Sequence, residues 1–142
     1  MAVSARLPRD GATLRRAALA YPAAYEEMPW GHHAIKVKGK TFVFLAADEM
    51  TFSLSAKLPS SAGAALALPF ASPTEYGLGR SGWVTARFPR AERVPLELLK
   101  LWINESYRAL APKRVVAQLG TAEPPSPLQR RARTAPKRAS RR

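Results

Sequence analysis

The chain contains no cysteine. Disulfide staples, thiolate zinc sites and thiol nucleophiles are therefore excluded, and stability has to come from packing and hydrogen bonding. Long apolar runs are missing as well. No stretch approaches the roughly 20 residues a membrane span needs, and the first residues lack the hydrophobic segment of a secretory signal. Acid is scarce, with ten Asp and Glu against 23 Lys and Arg, for a formal charge of +13. Histidine occurs only twice, at His32 and His33. Neighbours in extended chain point to opposite faces, and no third His or Cys completes a soft site, so no metal and no cofactor is expected. These absences describe a cytoplasmic protein that does not engage a membrane.

Present instead are 142 residues of which 46% are apolar, enough for one domain with a real core. Charge is unevenly spread. Residues 1–119 hold sixteen Lys and Arg against nine Asp and Glu, whereas residues 120–142 hold seven against one. That last segment has four prolines, and Leu128 is its only large apolar side chain. It cannot bury enough surface to offset its ordering entropy and reads as a disordered basic tail, leaving residues 1–119 as the domain. A pI near 11 points to a polyanionic partner, nucleic acid first. The competing explanation is compositional: Arg outnumbers Lys sixteen to seven amid abundant Ala and Pro.

Asp10 and the following GATLRRAALA read as an N-capped helix with Leu14, Ala17 and Ala18 on one side. From Ala34 the period changes to two. Ile35 and Val37 alternate with Lys36 and Lys38, Gly39-Lys40 supplies a turn, and Thr41 to Leu45 forms a second strand. Phe42 to Leu45 is apolar at four successive positions, as expected of a central strand or one partly covered on both faces. Met50 to Lys57 alternates again and makes a third strand. A short Ala/Leu helix, a strand over Ser72 to Tyr76 and another over Trp83 to Phe88 follow. The last helix carries Leu99, Trp102, Ile103, Ser106, Tyr107 and Leu110 as one stripe. The order α-βββ-α-ββ-α predicts an α+β two-layer sandwich, an antiparallel sheet of about five strands with helices packed on one face and the other face free.

Candidate chemistry is thin. Glu26-Glu27 lacks any phosphate cradle or nucleophile elbow nearby and is read as structural capping or a salt bridge to the hairpin. Gly77, Gly79 and Gly82 match the dinucleotide spacing, but a strand follows them where that motif needs a helix. Lys36, Lys38 and Lys40 stand at spacing two, which places them on one hairpin face opposite Ile35 and Val37. With Lys57, Arg80 and Arg87 they compose a patch suited to phosphate contacts.

Four ordered motifs resemble the YjbR/MmcQ family: EEMPWGHHAIKVKGKTFVFL, with an acidic residue and a P-W-G turn before a strand ending in G-K-x-F; LSAKLP; PTEYGLGRSGWVTARF; and LWINESYRAL. The resemblance covers about residues 10 to 119. It implies a compact α+β fold similar to CyaY-like or secretion-chaperone-like two-layer folds. Family members are commonly labelled DNA-binding, on the argument that winged hairpin-like elements grip a duplex. No catalytic set is established for them, so no active site carries over. Glu27, Pro29, Trp30, Gly31, Lys40 and Phe42 occupy motif positions, as do Lys57, Tyr76, Arg80, Trp83, Ser106 and Tyr107.

The leading expectation is a small, monomeric, non-enzymatic DNA-binding protein. Lys36, Lys38, Lys40, Lys57, Arg80 and Arg87 would contact the phosphate backbone of double-stranded DNA with little sequence preference. The alternative is a protein or small-ligand binding module using the free sheet face. Its cleft would lie between the P-W-G turn and the glycine loop, near Glu27, Trp30, His32 and Trp83, with the basic charge due to composition and tail. An enzyme is third, with Glu27, His32, Lys40 and Arg80 as its natural constellation.

Overall fold

The computed structural model describes residues 6–28, 32–75 and 78–119. The expected tail, 120–142, lies outside the described residues, as do Pro29, Trp30, Gly31, Tyr76 and Gly77.

The first helix, α1 (Arg9–Leu19), buries Leu14 and Ala18, which are four residues apart and therefore on one face. Asp10 does not cap it. Pro8 stands at the cap with no side-chain bond, and Asp10 sits buried in the first turn. Its carboxylate accepts from the Val94 amide and Arg93 Nε, both at 3.0 Å. The Val94 hydrogen bond, ahead of Arg93, holds its pKa below the usual carboxylate value, and the clamp ties α1 to the loop before the last long helix.

The sheet has six strands where the sequence predicts about five. They are β1 (Ala24–Glu27), β2 (His33–Val37), β3 (Lys40–Ala47), β4 (Thr51–Lys57), β5 (Ala71–Pro73) and β6 (Trp83–Pro89). The extra one is β1, four residues that pair with β2 at the sheet edge. Helix α2 (Ala62–Leu66) precedes β5, and α3 (Leu96–Leu110) and α4 (Lys113–Val116) follow β6. Every pairing is antiparallel, in the order β1-β2-β3-β4-β6-β5.

Register-paired residues share a face, so the register shows what the helices cover. Ile35, Val43, Ala56 and Val84 form one buried row, and Leu45, Leu54 and Ala86 the next. Leu99, Trp102, Ile103 and Tyr107 of α3 close the core over them, as the stripe predicts, while Leu110 is only half-buried.

Two local features depart from the simple alternation. The hairpin turn is Lys38-Gly39, with φ of 48° and 85°, not Gly39-Lys40. Two-residue hairpin loops with positive φ at both positions match strand twist, and glycine adopts the second at no steric cost. The other feature is a bulge in β3. Ile35 pairs with Val43 but Lys36 with Thr41, leaving Phe42 the extra residue. Phe42 and Val43 are both buried, which accounts for the apolar run without covering both faces of β3. The Ser106 hydroxyl fills the gap in the ladder, donating to the Phe42 carbonyl at 2.5 Å and accepting from the Lys57 amide at 2.9 Å. Tyr107 packs edge-on against Phe42 with ring centroids 5.1 Å apart and donates to the Pro22 carbonyl at 2.7 Å.

Candidate functional site

The same register defines the face opposite the one on which α1 and α3 pack. Glu27, Ala34, Phe44, Ser55, Thr85 and Ser72 form a continuous row from β1 to β5. A second row joins Ala46, Ser53 and Arg87. On the other side of the first row, Tyr25, Lys36 and Thr41 align on β1 to β3, and Lys57 pairs with Trp83 on β4 and β6.

A cleft of about 460 Å³ opens over the first two rows. Phe44, Ala46, Ser53 and Ser55 make its floor, with Thr85 and Arg87 from β6. His32 borders it on one side, and Thr74, Glu75 and Leu78 stand on the other. The second wall exists because the chain after β5 folds back on β6. The Thr74 amide donates to the Trp83 carbonyl at 3.1 Å, and the Gly79 amide returns to the Thr74 carbonyl at 3.0 Å. Gly79 is required there, since a Cβ at that position would lie 2.8 Å from the Pro73 Cβ. Beneath the wall, Thr85 Oγ1 lies 2.7 Å from Ser55 Oγ and 2.9 Å from Thr74 Oγ1, a hydroxyl chain that joins β4, β6 and the residue following β5. Trp83 is buried against Phe44 with ring centroids 5.6 Å apart, supporting the floor without lining the cleft.

The predicted phosphate-contacting residues are divided by this geometry. Lys36 lies on the open face, but its ammonium is 3.0 Å from Glu27 Oε1, and that hydrogen bond raises its pKa. Lys38 is a turn residue and Lys40 pairs with Val37, so the lysines at spacing two do not share a face. The alternation reverses across the turn. Lys57 stands beside Trp83 on the open face, Arg80 is exposed on the 3₁₀ turn Leu78–Ser81, and Arg87 lies in the cleft. Among the described residues Lys38, Lys40, Lys57 and Arg80 have no acidic partner.

Of the predicted cleft residues, His32 is a lining residue, Trp83 is a support, and Glu27 is at the β1 edge bound to Lys36. Trp30 lies outside the described residues. The enzyme constellation is not assembled: His32 and Lys40 stand at opposite ends of β2, roughly 15 Å apart at strand rise. The two histidines face opposite ways. His33 is under α1, where its Nδ1 donates to Glu26 Oε2 at 2.6 Å. Arg15 of α1 grips the same carboxylate through Nε at 2.8 Å and Nη2 at 2.6 Å. The Arg15 hydrogen bond, reinforced by His33 and opposed by burial, brings the Glu26 pKa down to about 2. This cluster fastens β1 to α1, and Glu27 fastens β1 to β2, so both acids bind the hairpin or its cover as the sequence predicts.

The hydroxyls of the cleft escaped the sequence reading. Ser53, Ser55 and Thr85 carry the polar half of an alternation, which looks the same on a solvated face as on a binding face.

The family model YjbR matches residues 19–109. The chain belongs to the YjbR family. The match runs from the end of α1 through most of α3, so the sheet, the cleft and the Ser106–Tyr107 anchor all lie within the YjbR region. No curated protein matches the chain.

Proposed function

We propose that this YjbR-family domain is a binding module whose site is the sheet face opposite α1 and α3, with a small organic molecule as its occupant. One observation carries the reading. A cleft of about 460 Å³ lies between His32 on one side and Thr74, Glu75 and Leu78 on the other. Ligand pockets fall in the range of roughly 300–1,000 Å³ and combine apolar walls with a few polar groups. Phe44, Ala46 and Leu78 supply the first, and the hydroxyls, His32 and Arg87 the second. Amide-resolved NMR of the full chain with a fragment library is the test. Bound fragments are expected to shift Ala46, Ser53, Ser55, Thr85 and Arg87, and Ser53→Trp, which fills the floor, is expected to abolish those shifts. Shifts clustered elsewhere, or unaffected by Ser53→Trp, overturn the reading.

DNA-backbone binding is the second reading, favoured by the charge of +13 and by the presence of Lys36 and Lys57 on the same open face. Its residue set narrows to Lys38, Lys40, Lys57 and Arg80, which have no acidic partner among the described residues, whereas Lys36 is hydrogen-bonded to Glu27.

A further inference from the structure

The cleft carries one guanidinium and one carboxylate, Arg87 and Glu75, that do not hydrogen-bond to each other. Arg87 is the only Lys or Arg among its lining residues. Its guanidinium donates no hydrogen bond within the described residues, and the nearest acidic oxygen, Glu75 Oε2, is 3.9 Å away. That exceeds hydrogen-bond reach, and with side chains 52% and 69% exposed the pair holds its members only weakly. A planar fork of donors therefore stands at one end of a cleft without an acceptor in bonding range. On the opposite border is His32, three strand spacings away, roughly 14 Å between backbones. Between them the floor is kept low by Ala46 and Ser53, the smallest side chains of that row. Phe44, Ala46 and Leu78 supply the carbon of the cleft. Ser53 Oγ has no hydrogen-bond partner among the described residues and is available to a ligand.

Resting on the reading of this cleft as a ligand site, we infer that its ligand is a small organic monocarboxylate. The carboxylate takes two N–H donors of Arg87, displacing Glu75, the carbon body lies on Phe44 against Leu78, and Ser53 accepts or donates one further hydrogen bond. A guanidinium matches a carboxylate bidentately. Glu75 is only loosely held beside Arg87, so a ligand carboxylate can take its place, and the cleft volume of about 460 Å³ is more than a bare inorganic anion fills.

The test titrates the full chain with phenylacetate, phenylacetamide, phenethylamine and inorganic phosphate, followed by amide NMR and calorimetry. Phenylacetate is expected to bind at the cleft at least tenfold more tightly than the amide. Arg87→Gln is expected to remove that preference, Arg87→Lys to retain part of it, and Glu75→Gln to strengthen phenylacetate binding by freeing the guanidinium. Equal binding of acid and amide, tighter binding of the amine, or a preference surviving Arg87→Gln overturns the carboxylate assignment and leaves the ligand site standing. Phosphate binding as tightly as phenylacetate also overturns it, since the carbon body would contribute nothing. If none of the three organic probes shifts the cleft amides, the inference and the ligand-site reading fall together.

Discussion

At the scale of single residues, two side chains hold this domain together at places the backbone cannot. Ser106 is one. The β3 bulge separates the Phe42 carbonyl from the Lys57 amide, and a single hydroxyl serves both. Ser106→Ala leaves the two groups without those bonds in the interior, where each missing bond costs about 1–3 kcal/mol. Loss of about 2–4 kcal/mol in urea unfolding is expected, and a loss under 0.5 kcal/mol would show that water replaces the hydroxyl. Glu26 is the other. Its folded pKa of about 2 lies below the ordinary value of 4.5, so its contribution is fully present above pH 4.5 and disappears as pH falls toward 2. The contribution is on the order of 2 kcal/mol, discounted for the partly solvated Arg15. The stability gap between the native chain and Glu26→Gln should therefore hold at pH 5 to 6, narrow below pH 4.5 and close near pH 2. A gap constant from pH 2 to 6 would remove the Arg15–Glu26–His33 cluster from the account of acid stability.

At the scale of elements, the strands whose alternation was clear in the sequence formed where expected. The failures have identifiable causes. β1 is only four residues, with Tyr25 and Glu27 exposed and Ala24 and Glu26 half-buried, so its local pattern does not separate it from a loop. The bulge is set by the partner register, which no single strand encodes. The lysine row failed because period-two spacing does not carry through a turn: Lys38 became the turn and Lys40 changed face. The wall over the cleft depends on close approach of Gly79 to Pro73, which glycine spacing alone does not reveal. Gly79→Ala is expected to cost about 1–3 kcal/mol through overpacking and to shift the amides of Thr74 and Thr85. Native-like stability and spectrum would mean that the wall yields without consequence.

For the whole molecule, charge and architecture point in different directions. The domain and the segment after it both carry excess positive charge, so attraction to polyanions follows from composition alone. Among the described residues, however, the sheet brings Lys36 and Lys57 to one face while dispersing Lys38, Lys40 and Arg80. Duplex-DNA binding by the full chain is expected to weaken steeply with salt, at a slope of about 0.9 per phosphate neutralised. Replacing Lys57 and Arg80 together by Gln should lower that slope by no more than about 2. A larger drop would mean that these side chains organise a phosphate site the geometry does not indicate. No helix among the described residues is long and apolar enough to cross a membrane.

The sequence by itself determined the α+β class, the faces of β4, β6 and α3, and the YjbR motifs, because periodicity and composition act within a few residues. Tertiary structure alone decided the sixth strand, the bulge bridged by Ser106, the division of the lysines and the cleft. Each of these depends on which residues from distant segments meet across a register or a fold-back, and that is fixed only when the sheet closes and buries its core.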